Sequence, residues 1–293
     1  MARIVGVITT SHIPAIGAAI ARGVQQEPYW KPFFGAFDPV HEWLARVRPD
    51  AVVVVYNDHG LQFFLDKMPT FAIGAADEYR NADEGWGLPT QPPYRGDAAL
   101  SWHLIESLVD QEFDITTCQE MLVDHAFTVP LKLLWPGERP CPVITVPVAV
   151  NTIQHPLPSP ARCLKFGRAL GRAVASYPQD IKVLMVGTGG LSHQLDGTRA
   201  GFINRGFDEM CMAAMVDEPG ALARYSIHQL VEAAGTQGVE VLNWLIARAA
   251  LTGRVEKVHS NYHIPISNTA SGLMVLENRP RNRGQSPGPD PGL

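Results

Sequence analysis

With 293 residues, a mass of 32.0 kDa and 46% apolar residues, the chain is long enough to bury a large core, and one globular catalytic unit is expected over residues 1–279. A net charge of -5 and a pI near 6.0 give no general attraction for phosphate backbones or anionic lipid, which argues against nucleic acid or a membrane as partner. Cys118, Cys141, Cys163 and Cys211 form no CxxC pair, so neither a zinc knuckle nor a disulfide framework is indicated, and reduced thiols of a cytoplasmic protein are expected.

In chain order, the first predicted element is a strand over residues 4–8, an apolar run too short for a signal-peptide core or a membrane span; it leads into Thr9, Thr10, Ser11 and His12. A helix is predicted over residues 40–46. The β-branched run 51–56 reads as a buried strand leading into Asn57, Asp58 and His59. Residues 71–96, rich in Gly, Pro and acids, read as a long functional loop. A helix follows over 98–110, then a strand over 143–148, a helix over 161–176 and a strand over 181–186, which opens into a Gly, Ser and Thr-rich loop, 187–201, carrying His193. Helices over 205–216 and 239–251 and a strand over 273–276 complete the alternation, while residues 280–293 lack apolar periodicity and are expected to be a disordered tail. No solenoid or propeller repeat is visible. The alternation predicts an α/β protein, layered α/β/α around a central, mostly parallel sheet, with its active site at the carboxyl ends of the strands.

Three predicted strands run into a histidine, His12, His59 or His193, and parallel strands bring such ends together. Two imidazoles and one carboxylate form the facial arrangement of non-heme iron, which leaves positions open for substrate and oxygen. Glu240, in the first turn of an otherwise apolar helix, is the leading carboxylate; an acid there is equally favourable against the helix macrodipole, and spacing alone does not decide. His41, His103, His155, His228 and His259 read as ordinary structural histidines, and His41-Glu42 lacks the second histidine of a zincin motif. The glycines of Gly187-Thr188-Gly189-Gly190 match neither phosphate-loop spacing, so phosphate binding is not expected.

Six segments carry a family resemblance: residues 10–15 around His12, residues 56–59 ending in His59, residues 82–87 with Glu84 and Trp86, residues 123–125 ending in His125, residues 187–194 around His193, and residues 262–270 around Ser267 and Asn268. In this order and spacing, from Arg3 to about Glu277, the chain resembles the β subunits of protocatechuate 4,5-dioxygenases, within the class III extradiol ring-cleavage dioxygenase family. The resemblance implies Fe(II) held by His12, His59 and Glu240, with His193 as catalytic acid–base and His125 near the oxygen pocket. Ser267 and Asn268 fall on the segment that receives the substrate carboxylate, and Asn57 is carried as a further substrate-binding candidate. It also implies a small α subunit capping the site in an α2β2 assembly, and O2-dependent extradiol cleavage of a catechol. Protocatechuate is the expected substrate, and gallate or 3-O-methylgallate the alternative. The rival classes are a metal-dependent hydrolase, which would activate water on zinc, and an interaction module without activity.

Overall fold

In the computed structural model, which describes residues 1–85, 88–137 and 141–278, the valine run Ala51–Tyr56 is buried along its whole length. It can be so because it lies in the middle of the sheet with helices on both faces. Its side chains alternate between two cores, Val53 and Val55 on one face and Val52, Val54 and Tyr56 on the other, as the period of a strand requires. The expected tail, 280–293, and Trp86 and Gly87 lie outside the described residues.

The strands are β1 (Arg3–Thr10), β2 (Ala51–Tyr56), β3 (Phe71–Gly74), β4 (Glu78–Asn81), β5 (Tyr94–Arg95), β6 (Thr116–Cys118), β7 (Leu122–Val123), β8 (Ile144–Val150), β9 (Lys182–Thr188), β10 (Val255–Ile266) and β11 (Thr269–Asn278). The helices are α1 (Pro14–Arg22), α2 (Lys31–Gly35), α3 (Asp38–Val47), α4 (Ala98–Asp110), α5 (His125–Leu134), α6 (Pro160–Ser176), α7 (Arg205–Asp217), α8 (Ile227–Ala234) and α9 (Val241–Ala249). Eight strands form the main sheet in the order β10-β11-β1-β9-β2-β8-β3-β6, and β5-β4-β7 form a small one. Neighbours β1/β9, β9/β2, β2/β8 and β3/β6 are parallel, whereas β10/β11, β11/β1 and β3/β8 are antiparallel. The expected layered fold with a mostly parallel sheet is therefore present.

Register positions the site. Thr10 pairs with Thr188 and Val55 with Gly187, so β1, β2 and β9 end at one level and deliver their following loops to one sheet edge. The antiparallel hairpin β10–β11 brings its tip, Ser267-Asn268, to the same edge, since Leu273 pairs with Thr10. One core packs α4, α6, α7 and α9 against the sheet; the other packs α1, α3 and α5 against the opposite face.

Several expectations are corrected. The segment 71–96 is not one loop, since it contains β3, β4 and β5. The strand predicted over 273–276 is longer and antiparallel, and its partner β10 was not anticipated, nor were α1 and α5. The helix predicted over 239–251 is a 3-10 turn, Gly238–Glu240, followed by α9.

Candidate active site

His12 sits just beyond β1 and is buried; its Nδ1 lies 3.1 Å from the Thr188 hydroxyl at the end of β9. His59 sits beyond β2, its Nδ1 2.9 Å from Asp124 Oδ2, which also accepts the His59 backbone N–H at 2.8 Å. Asp124 in turn caps α5 by accepting the Ala126 N–H. The loop after His59 is wound around Asp58, whose carboxylate accepts the backbone N–H groups of Gly60, Leu61, Gln62 and Phe63. Each imidazole thus has one nitrogen held by an oxygen, a device that fixes ring orientation at metal sites.

The Nε2 atoms of both rings face Glu240, whose Oε1 is 3.5 Å from His12 Nε2 and 3.7 Å from His59 Nε2. Glu240 is 2% exposed and makes no capping bond to its own helix; instead Oε2 accepts the Gly190 N–H at 2.8 Å and Oε1 accepts an N–H of Asn57 at 3.2 Å. Between a macrodipole decoration and a member of the histidine cluster, the geometry selects the second. The glycines after β9 serve the same contact. Gly189 has φ +118, and a Cβ on it would lie 2.6 Å from the Glu240 Cβ; one on Gly187 would lie 2.7 Å from the Asn243 carbonyl oxygen. One loop amide, that of Gly190, donates to a protein carboxylate, in place of the phosphate that glycine-rich loops elsewhere bind.

Asn57 is fully buried, its amide engaged by Glu240 and by Asn243, which donates to Asn57 Oδ1 at 3.0 Å and to the Thr188 carbonyl at 3.0 Å. Asn57, expected to bind substrate, is placed where its amide holds the Glu240 carboxylate.

Burial and opposite charge compete across the cluster. Burial works against the Glu240 charge, yet the imidazoles of His12 and His59 outweigh it and hold the carboxyl well below its ordinary range. Burial pushes His12 down, against the pull of Glu240. Burial also opposes a charge on His59, but Asp124 and Glu240 raise it to about 10. Asp124, despite burial, is lowered to about 2 by His59.

His125, at the first position of α5, joins this cluster: its ring stacks on His59 with centroids 4.1 Å apart, and its Nδ1 is 2.6 Å from Glu84 Oε2. The ligand atoms of His12, His59 and His125 lie within 4.8 Å of one another, so these three imidazoles are a second geometric set able to hold a metal. His193 is part-buried in the loop after β9, and among the described residues its Nδ1 has no hydrogen-bond partner. Burial lowers its pKa, with Glu240 pulling the other way. An isolated bridge between His193 and Thr269 sets this loop beside the hairpin tip, so His193, Ser267 and Asn268 are neighbours, with Ser267 exposed and Asn268 part-buried.

The sequence reading assigned no role to Asp124, Thr188 or Glu84, which lie in the resembling segments, and did not single out Asn243. Asp124 had a signal, an acid opening the apolar run 125–134 as a helix cap does. Of the other histidines, His41, His103 and His259 lie within hydrogen-bonding distance of backbone carbonyls, as structural residues do. A separate cavity of about 650 Å³ opens between α1, α3 and α5; His41 lines it, but none of the candidate site residues does.

Comparison with known proteins gives a concordant picture. The sequence profile described as catalytic LigB subunit of aromatic ring-opening dioxygenase matches residues 6–272. A gallate dioxygenase of Pseudomonas putida is 41% identical over 198 residues, 68% of this chain and 58% of that protein. A 2,3-dihydroxyphenylpropionate/2,3-dihydroxicinnamic acid 1,2-dioxygenase of Photorhabdus laumondii is 33% identical over 189 residues, 64% of this chain and 56% of that one. A protein of the same description from Rhodococcus globerulus is 27% identical over 82% of this chain and 88% of its own. The chain therefore spans under two thirds of the first two of these relatives. Among solved structures, an uncharacterized protein of Escherichia coli K12 shares the fold with a TM-score of 0.58 at 15% identity, covering 94% of this chain and 100% of that one.

Proposed function

The chain belongs to the family of catalytic LigB subunits of aromatic ring-opening dioxygenases, and from that premise we propose that it catalyses the Fe(II)-dependent extradiol cleavage of a carboxylated catechol. The observation that carries the reading is the buried Glu240 carboxylate poised between the Nε2 atoms of His12 and His59. Two imidazoles and a carboxylate fit iron(II) in the facial arrangement, with the remaining positions free. Bound there, iron would bring the two catechol hydroxyls and dioxygen together and pass electron density between them, which a closed-shell ring and triplet oxygen cannot do quickly alone.

The protein's own part is positioning and proton handling. Thr188 and Asp124 orient the two imidazoles, while Asn57 and Gly190 hold the carboxylate. His193, kept neutral by burial and carrying an unpartnered Nδ1, takes a proton from a catechol hydroxyl and returns one to the product. His125, oriented through Nδ1 by Glu84, faces the same space from the α5 side and is assigned to the oxygen pocket. Ser267 and Asn268, at the hairpin tip beside His193, receive the carboxylate.

The second reading, a zinc hydrolase, draws on the cluster of His12, His59 and His125, since three imidazoles are a zinc set. The iron reading is preferred because Glu240 lies against both His12 and His59 and offers the carboxylate of a two-histidine, one-carboxylate set. For substrate, gallate stands first, because a gallate dioxygenase is 41% identical, with protocatechuate and 3-O-methylgallate behind it. The dihydroxyphenylpropionate relatives also take a catechol with a carboxylate, which supports the class.

A capping α subunit, in an α2β2 assembly, remains part of the proposal. Support comes from exposed apolar side chains toward the carboxyl edge of the sheet: Phe64 and Leu65 in the loop after β2, Ile153 after β8, Leu195 after His193, and Ile264 on β10 near the hairpin tip. An apolar rim around a polar centre is a surface that a partner covers.

The test is ring-fission absorbance on gallate, protocatechuate and 3-O-methylgallate with Fe(II)-loaded protein, with and without a candidate small subunit. Cleavage of at least one of them supports the reading, and their ranking assigns the substrate. Inertness toward all three, with iron bound and the partner present, would overturn it.

A further inference from the structure

A second buried carboxylate stands near the site and has no part in the chemistry above. Asp208, in the first half of α7, is 1% exposed. Its Oδ1 accepts both the Ser192 backbone N–H at 2.9 Å and the Ser192 hydroxyl at 2.7 Å, and its Oδ2 accepts the Tyr262 hydroxyl at 2.8 Å. Ser192 Oγ itself accepts the Asn204 N–H at 3.0 Å, which joins the start of α7 to the same point.

The two residues bound by Asp208 lead to the two halves of the proposed active site. Ser192 immediately precedes His193, whose backbone is also fixed, its N–H donating to the Ala234 carbonyl at 2.7 Å and its carbonyl accepting from Gln237 at 3.2 Å. Tyr262 lies on β10, which continues to the Ser267-Asn268 tip. A buried carboxylate is an inefficient source of stability, because its desolvation offsets most of what its bonds return. What three donors converging on one carboxylate do fix is geometry. A side chain that ties the turn before His193 to the strand before Ser267 sets the distance between acid–base and carboxylate receptor.

We propose that Asp208 is the positioning residue that locks the His193 loop to the β10–β11 hairpin, so that one substrate meets the acid–base and the carboxylate-binding tip together. The proposal rests on the roles given above to His193, Ser267 and Asn268. It makes Asp208 and Tyr262 positioning residues that touch no substrate atom.

The experiment compares wild type, Asp208→Ala, Asp208→Asn, Ser192→Ala and Tyr262→Phe for iron content, and for kcat and KM on gallate and on pyrogallol, which is gallate without its carboxylate. Asp208→Ala is expected to keep its iron and to lose about 10- to 100-fold in kcat on both compounds, the range found when supporting bonds are removed at metal sites. Asp208→Asn, whose Oδ1 can still accept both Ser192 donors, should recover most of that loss. Tyr262→Phe, which frees only the hairpin side, should raise KM for gallate several-fold and leave KM for pyrogallol unchanged. If Asp208→Ala does not fold, Ser192→Ala carries the test, with a partial loss of kcat at full iron content.

An unchanged kcat in Asp208→Ala, iron lost from it, no recovery in Asp208→Asn, or equal KM changes for the two compounds in Tyr262→Phe would each overturn the proposal. Wild-type protein inert on every catechol would instead overturn the proposed function; active wild type with an equally active Asp208→Ala defeats this inference alone.

Discussion

Glu240 shows how much one side chain can carry. Its sequence context fits a helix-terminal acid equally well, and only the fold reveals that it turns away from its helix toward His12 and His59. Glu240→Ala is therefore expected to abolish both iron binding and turnover, measured by metal analysis and oxygen uptake, whereas His193→Ala should keep its iron and lose about 10²- to 10⁴-fold in kcat, as removal of an acid–base does. Iron in stoichiometric amount on Glu240→Ala would exclude it as an essential ligand. The pair His59–Asp124 makes a second prediction. In metal-free protein His59 is raised to about 10, so its contribution is complete below its ordinary 6.5 and is lost as pH rises through about 10. Asp124 is lowered to about 2, so its contribution is complete above its ordinary 3.8 and fades as pH falls toward 2. The melting temperature difference between metal-free wild type and Asp124→Asn should be greatest between about 4 and about 6.5 and narrow on both sides. Iron held through His59, as proposed, would take the place of its proton, so iron binding at neutral pH should release about one proton, visible by calorimetry in buffers of different ionisation enthalpy. His12, His59 and His193 were legible as residues because each follows a strand. Asn243 and Thr188 were not, since their bonds reach Asn57 and His12 across 186 and 176 positions and leave no local pattern.

At the scale of elements, the legible ones are those whose burial is one-sided or complete over a β-branched run. β1, β2 and β9 read as strands because valines and isoleucines crowd there. α5 escaped because residues 125–131 are buried all round, which erases the 3.6-residue stripe, and Pro130 interrupts the run. β10 escaped because it is an edge strand, mostly part-exposed, with register shifts at Lys257/His259 and His263/Ile266 that break its period of two. The glycine-rich segment after β9 was legible as a loop without its purpose, which is to let Glu240 approach the backbone. Gly189→Ala would place a Cβ 2.6 Å from that of Glu240 at φ +118. The substitution should destabilise by about 1–3 kcal/mol and weaken iron binding, read together from melting temperature and metal titration. Unchanged iron affinity in a folded Gly189→Ala protein would mean that the loop does not set the carboxylate.

For the molecule as a whole, the sequence gives the layered architecture and the edge of the sheet that bears the site, because parallel strands share one carboxyl end. It does not give the apolar rim, since exposure depends on which loops crowd together. Phe64, Leu65, Ile153, Leu195 and Ile264 are exposed, the first four in loops that follow β2, β8 and β9 and the last on β10 near its tip. If that rim seats a small subunit, Leu65→Ser with Phe64→Ser should weaken the complex at least tenfold in a binding titration while leaving iron content intact. Oxygen use at a centre formed by His12, His59 and Glu240 separates a ring-opening dioxygenase from a zinc hydrolase. The direct measurement is the stoichiometry of dioxygen consumed per gallate by protein loaded anaerobically with iron(II), against the same protein loaded with zinc. About one dioxygen per ring opened with iron, and none with zinc, is the expected result. No uptake with iron bound, or turnover supported by zinc alone, would contradict it.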